Sequence, residues 1–401
     1  MSRRSSLTVL LVSLALAVSL MAGMVWHRTS SDSASPIRQM GTMVEVYEHI
    51  NDDYVTEPNL AKVSDGALHG LLESLDPDSS YLNPTEYAAY EAAAAKPPTG
   101  GIEATLAKRG GYATVVAVRV HGAAAQAGLE RGDFVEGIGD QSAIEDTRDL
   151  SIEEIRQKLT GAPGSQVTLS VVHLHQSDPS KVVITRAPHS MAPLATSDDA
   201  GVGVIAVPDF AAGRADQVRA ALKTMEANGT HKFVLDLRNC AAGDVAQADD
   251  VANLFLSQGT ITYLEGQKYP RVTTTADAAK VADAADPLVV VTNSGTSGPA
   301  EIVAAALQQN ARAKVVGDHT FGEGSVQKLI PVGDGSAVFL SVARYYTPKG
   351  ALVQDGITPD VQQVEYAGAL PDFDFAPEGV SPATLPDLQL QKAKEVVGSH
   401  S

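Results

Sequence analysis

Residues 287–318 read PLVVVTNSGTSGPAEIVAAALQQNARAKVVGD. The run Leu288–Val291 is apolar throughout and is followed by a Ser/Gly/Thr-rich stretch, the pattern of a strand buried on both faces. Pro299 suits the first position of a helix, because its missing N–H would have no partner there. It also keeps Gly298 out of the right-handed helical region. Gly298 is therefore the expected N-cap, and Glu301 lies near the positive end of the helix dipole. A second apolar run, AKVVGD, follows the helix. Strand, helix and strand in this order define an α/β layer with parallel strands.

The same alternation extends upstream. VGVIAVPDF (202–210) and KFVLDLR (232–238) read as strands. RADQVRAALKTMEANG (214–229) reads as an amphipathic helix stopped by Gly229, and AQADDVANLFLSQG (246–259) as another. Residues 99–175 differ. YATVVAVRV (112–120) and QVTLSVVHL (166–174) suggest strands. RDLSIEEIRQKL (148–159) suggests a helix with Leu150, Ile152, Ile155 and Leu159 on one side. The Pro/Gly cluster 97–101 marks a boundary before this β-rich part. Residues 37–95 read as helical, with Ile37, Met40, Val44 and Tyr47 near helical spacing and an interruption at Asp76-Pro77.

The N-terminus carries Arg3 and Arg4 ahead of an apolar run from Leu7 to Trp26, long enough to cross a bilayer. Residues 1–30 are read as a signal anchor or signal peptide. Either exports the rest of the chain and leaves the arginines in the cytoplasm. The expected location is extracytoplasmic, in a periplasm or at a cell surface, with the N-terminal segment in the inner membrane.

A formal charge of −18 over 401 residues argues against nucleic-acid binding, which needs a basic footprint. A single cysteine, Cys240, excludes an intrachain disulfide and any multi-cysteine metal site. His173 and His175 alternate in a strand-like run and show no metal-ligand spacing. No metal or cofactor is expected.

Several longer stretches, in order, resemble the C-terminal processing (tail-specific) serine proteases. LLESLDPDSSYL (71–82) is similar to that family's N-terminal helical segment. GGIEATL (100–106) and GAAAQAGLERGDFVEGIGDQ (122–141) resemble a PDZ domain. VLDLRNCAAG (234–243) resembles the strand and turn that supply an oxyanion hole. NSGTSGPAEIVAAALQ, VVGDHTFGEGSVQ, ARYYTPKG and GITPDV resemble the catalytic core. The resemblance spans residues 37–365 and implies an α/β and β multi-domain fold. Residues 31–96 form an N-terminal helical segment, 97–178 a PDZ-like domain, and 179–365 a tail-specific-protease-like core of crotonase-like type. Residues 366–401 form a Pro-rich acidic tail ending in a weak helix, PDLQLQKAKEVV.

The family cleaves with a serine activated by a neutral lysine that a glutamine orients. Here the nucleophile position is Gly298 and the base position is Glu323. Their spacing of 25 residues agrees with the family, so no shift of register restores the pair. Gln327, the orienting position, remains. The oxyanion turn, Asn-Pro-Gly-Gly in the family, reads Cys240-Ala241-Ala242-Gly243. Backbone N–H groups at Ala242 and Gly243 can still donate, but alanine does not easily take a positive φ, so a reshaped turn is expected. Gly101, Ile102, Glu103 and Ala104 occupy the peptide-binding loop. Glu103, where the family has glycine, is expected to weaken binding of a peptide carboxylate by like-charge repulsion.

Two classes of function follow. One is an exported, proteolytically impaired or inactive homologue that binds peptide or protein C-termini. The other is an active serine endopeptidase using a displaced nucleophile, Ser297, with Glu323 or His319 as base. The resemblance also admits a homodimer, since the N-terminal helices of the family pack between subunits.

Overall fold

The computed structural model describes residues 36–366 and 385–399, apart from 141, 175 and 284. The apolar segment Leu7–Trp26 and His175 lie outside the described residues. Among the described residues no helix is long and apolar enough to cross a membrane.

The chain divides into two compact units, residues 1–67 and 68–401. In the first, helix α1 (Pro36–Asp53) leads to the start of α2 (Leu60–Glu73). The Tyr47 hydroxyl donates to the Leu60 carbonyl at 3.1 Å and lies 3.1 Å from Ser64 Oγ, which ties the two helices.

The second unit opens with a departure from the helical reading of residues 37–95. After Pro77 the chain extends as strand β1 (Ser80–Leu82), then re-enters a helix, α3 (Pro84–Ala95). Asn83 caps α3: its Oδ1 accepts from Thr85 and Glu86 N–H, while Glu86 returns a carboxylate to Asn83 N–H at 2.7 Å. Thus part of the expected N-terminal helical segment enters a sheet of this unit instead.

The β-rich domain contains β2 (Gly100–Gly101), β3 (Ala104–Arg109), β4 (Tyr112–Val118) and the short helix α4 (Ala123–Gln126). Next come β5 (Phe134–Gly139), β6 (Ile144–Asp146), α5 (Ile152–Leu159), β7 (Gln166–Val172), β8 (Ser180–Thr185) and β9 (Ala187–Pro188). The sheet runs β3-β4-β5-β7-β8, with β6 on β5. Helix α5 begins later than the sequence suggested. Ser151 caps it in a capping box with Glu154, so Arg148 to Leu150 lie before it. Ile155 and Leu159 bury against Leu106, Ile138 and Leu169 as the helical period requires.

The core sheet is β10 (Ala195–Asp199), β11 (Val202–Ala206), β12 (Phe233–Asp236), β15 (Leu288–Thr292), β16 (Lys314–Gly317) and β19 (Val361–Gln362), in that order. All neighbours are parallel except β10 and β11. Its period-two alternation separates two cores. Ile205, Leu235, Val290 and Val315 face helices α6 (Arg214–Ala227), α7 (Val245–Asn253) and α8 (Pro299–Gln309). Val204, Val234, Val289 and Val316 face Ala393 and Val397 of helix α9 (Leu388–Gly398). The end of the expected tail is therefore packed on the core.

A second sheet of this unit combines β1 with β13 (Thr260–Glu265), β14 (Val272–Thr275), β17 (Ser325–Pro331) and β18 (Ala337–Tyr346). Its register matters for the site. Ser80 pairs with Phe339 on one side of β18, and Gln327 pairs with Ser341 on the other. Asp76 and Asp78, just ahead of β1, are thereby carried to the start of β17.

Candidate active site

Gly298 caps α8 with φ 58° and ψ −115°, a conformation strained for any residue with a Cβ. This is the sharp strand-to-helix turn anticipated from Pro299. A Cβ added here would meet only Glu323, its carbonyl oxygen at 3.8 Å and its Cγ at 3.9 Å. A side chain at 298 would thus face residue 323, as the nucleophile and base positions of the family should.

Glu301 holds that arrangement and is fully buried. Its Oε2 accepts the N–H of Gly298 and of Glu323, both at 2.8 Å. Its Oε1 accepts the N–H of Gly322 at 2.8 Å and the Thr320 hydroxyl. Thr320 Oγ1 already accepts from Ile357 N–H at 2.7 Å, so its hydrogen belongs to Glu301. Burial pushes the Glu301 carboxyl up to about 7, but four donors leave a carboxyl proton no acceptor. We therefore assign Glu301 as the carboxylate at neutral pH. From the sequence alone only its place near the helix dipole is legible. Its role in joining two distant loops needed the fold.

Around Glu323 lies a chain of polar groups. Ser325 Oγ donates to Asp78 Oδ2 at 2.6 Å, accepts from Gln327 Nε2 at 2.9 Å, and lies 3.4 Å from Glu323 Oε1. Gln327 therefore reaches Glu323 only through Ser325. Ser341 Oγ and Ser79 Oγ donate to Asp76 at 3.0 and 3.1 Å. Burial, then the charge of Asp78, raises Glu323 to about 7, while Arg156 opposes the shift. Burial likewise raises Asp78. Asp78 and Ser325 lie in the stretches LLESLDPDSSYL and VVGDHTFGEGSVQ, but nothing along the chain marks either as a site residue.

The displaced-serine constellation is not assembled. Ser297 N–H donates to the Cys240 carbonyl at 3.0 Å. His319 Nδ1 lies 2.8 Å from the Thr320 carbonyl, which selects the tautomer protonated at Nδ1. Among the described residues, Ser297 makes no hydrogen bond to His319 or Glu323.

The Ser297–Cys240 bond sets the 240–243 turn beside the 298 position. The positive φ values in this stretch fall on Asn239 (53°) and Gly243 (118°), so Ala241 and Ala242 carry no left-handed strain. Gly243 is obligatory, since a Cβ there would lie 2.4 Å from the Phe210 backbone. The turn is held by Phe210 N–H to the Ala242 carbonyl at 2.8 Å and Asp244 N–H to the Phe210 carbonyl at 2.9 Å. The N–H groups of Ala242 and Gly243 make no hydrogen bond among the described residues. Cys240 is fully buried, and burial pushes its thiol well above the usual range, so it is inert.

A groove of about 470 Å³ between β3 and α5 is lined by Gly101 to Leu106 and continues to Ala241 and Ala242. Glu103, at φ 61°, accepts from Ala123 N–H at 2.9 Å and pairs with Arg119. Its charge is thus compensated, which offsets the repulsion expected from sequence. His173 is paired with Asp133 at 2.9 Å. Arg131 bridges outward from the β domain, donating to Asn239 Oδ1 at 2.9 Å and to Glu365 Oε2 at 3.1 Å.

A core with these loops and an attached β domain with a peptide-sized groove define a serine-peptidase-like architecture. Comparison with known proteins gives the particular family. The model of peptidase family S41 matches residues 201–363, and a PDZ-domain model matches residues 114–172. The carboxy-terminal-processing protease of Bartonella bacilliformis is 31% identical over 340 residues, covering 83% of this chain and 77% of that one. The carboxyl-terminal-processing protease of a Synechocystis species is 32% identical over 339 residues, covering 82% and 76%. The solved structure of a photosystem II D1 C-terminal processing protease matches with a TM-score of 0.66 at 23% identity, over 89% of this chain and 96% of that one, which supports the fold. The chain belongs to the carboxy-terminal-processing protease family, peptidase family S41.

Proposed function

We propose that this chain is an exported member of the family that has lost serine-type, acyl-enzyme turnover and works by binding peptide or protein C-termini. The observation that carries the reading is the pairing of positions 298 and 323. They face each other within an intact Glu301 clamp, yet one has no side chain and the other is an acid. A glycine cannot be acylated. In this reading Gly101 to Ala104 receive the terminal carboxylate and β3 pairs with the extended peptide. The groove leads the peptide toward the Ala242 and Gly243 amides.

Export rests on Arg3, Arg4 and the apolar run to Trp26. Self-association is proposed for the N-terminal helix. Met40, Met43, Val44 and Val46 of α1 are all more than two-fifths exposed, and a second copy would cover them.

The test combines two measurements on the full-length chain. Isothermal titration with free-carboxylate peptides should show binding that their C-terminal amides lack. A serine-reactive fluorophosphonate should leave no adduct by mass spectrometry. An adduct on Ser297, or equal binding of acids and amides, would overturn the reading. Light scattering of the detergent-solubilised protein reports its oligomeric state.

A further inference from the structure

We infer that the 298 site hydrolyses peptide bonds by direct attack of water. Glu323 takes a proton from a water molecule in the space that a side chain at 298 would fill, and no covalent bond to the enzyme forms. The inference rests on the preceding reading in one respect, that a peptide lies along the groove reaching Ala242.

Three features of the geometry support it. A Cβ added at 298 would sit against Glu323, 3.9 Å from its Cγ and 3.8 Å from its carbonyl oxygen, so the position faces that side chain. The Glu301 clamp fixes the backbone on both sides of that space, at Gly298 N–H and at Glu323 N–H. The Ser297–Cys240 hydrogen bond holds the turn bearing the Ala242 and Gly243 amides next to it. An acid side chain, an open position at 298 and a turn with two amides outside the hydrogen-bond network thus lie on neighbouring, fixed segments, the parts on which general-base hydrolysis draws.

The reaction balances without any co-reactant beyond water. A water O–H bond breaks and its proton passes to a Glu323 carboxylate oxygen. The water oxygen forms a bond to the peptide carbonyl carbon, and the carbonyl electron pair moves to oxygen, which faces the two turn amides. The tetrahedral adduct then collapses. The C–N bond breaks, and the Glu323 proton transfers to the departing nitrogen, leaving a new carboxyl terminus and a free amine.

Glu323 suits both proton transfers because it lies in a partly buried acidic setting. Asp78 and Asp76 from the segment before β1 raise its proton affinity, and Arg156 from α5 lowers it. Arg344 from β18 acts on Asp78 in the same lowering sense. Ser325, donating its one hydrogen to Asp78, leaves the Glu323 carboxylate free to accept from water. Asp78 is a positioning residue here, acting through Ser325 and through its charge.

The experiment uses the full-length chain, fluorescein-labelled unfolded casein and a pH series from 5.5 to 8.5, with fluorophosphonate present. The expected result is slow cleavage that the probe does not inhibit and that rises through a midpoint near pH 7. Glu323→Gln should lower it at least twentyfold while titrated peptide binding stays within twofold, which also shows the variant is folded. Asp78→Asn should shift the midpoint to lower pH, an effect a purely structural role would not give. Peptide binding without casein cleavage would overturn this inference and leave the binding reading intact. Absence of both would overturn both. Cleavage blocked by the fluorophosphonate, or unchanged in Glu323→Gln, would overturn the water mechanism.

Discussion

Glu323 N–H donates to Glu301 Oε2 at 2.8 Å, and the same oxygen accepts the N–H of Gly298 at the same distance. One buried carboxylate thus registers two loops that lie 25 residues apart in the chain. It contacts them through main chain, so their relative position does not depend on the side chains at 298 and 323. Both can change identity while the frame persists. Each side chain can therefore be altered to test its role without dismantling the site.

Replacing Glu301 itself should be severe. Glu301→Gln turns one acceptor into an NH2 group facing donors, inside a fully buried site. A loss of about 3 kcal/mol is expected, the usual scale for breaking a buried charged network. Urea denaturation of the full-length chain measures it. A loss under about 1 kcal/mol would show that the clamp is not a major source of stability.

Restoring the dyad provides a constructive test. Gly298→Ser with Glu323→Lys should yield a fluorophosphonate adduct on residue 298, and Glu323→Lys alone should not. Serine at φ 58° fits the space, but the backbone conformation should cost about 1–3 kcal/mol, visible as a lowered Tm. Asp78, one hydroxyl away, favours the charged lysine, so labelling should rise with pH above 8. A folded double variant that stays unlabelled throughout would show that the 241–243 amides no longer serve an acyl intermediate.

The raised proton affinity of Glu323 has a stability signature. Its folded value of about 7 lies above the ordinary 4.5, so the fold favours the neutral form. That contribution is present in full below about 4.5 and is lost as pH rises through about 7. Stability of the native chain relative to Glu323→Gln should therefore fall by roughly 2 kcal/mol between pH 5 and 8. Parallel denaturant titrations would reveal it. A difference independent of pH would mean that Glu323 is ionised throughout.

Arg119 and Glu103 make a further pair to separate. Arg119→Ala leaves the Glu103 carboxylate with the Ala123 amide alone, beside the loop proposed to receive the peptide carboxylate. Affinity for free-carboxylate peptides should drop about tenfold, or ~1.4 kcal/mol. Adding Glu103→Gln should recover most of it. If the double variant binds no better than Arg119→Ala, the arginine contacts the peptide directly.

Much of this protein was legible along the chain. The βαβ alternation, the helix start at Gly298-Pro299 and the stop at Gly229 follow from local rules, because the positions that decide them are neighbours. The 25-residue spacing and the substitutions at Gly298 and Glu323 are also one-dimensional facts. Tertiary structure decided what those substitutions face. Ser80–Leu82 looked like the sequel to a helix, yet pairs with β18, because strand pairing rewards a partner more than 250 residues away. That pairing brings Asp78 to Ser325 and sets an acid beside Glu323. Glu103 read alone was a repulsive charge, and only the fold supplied Arg119 and the Ala123 amide to compensate it. Periodicity and turn chemistry are properties of adjacent residues. Proton affinity, charge compensation and the space at 298 depend on which distant groups the fold places within a few ångströms.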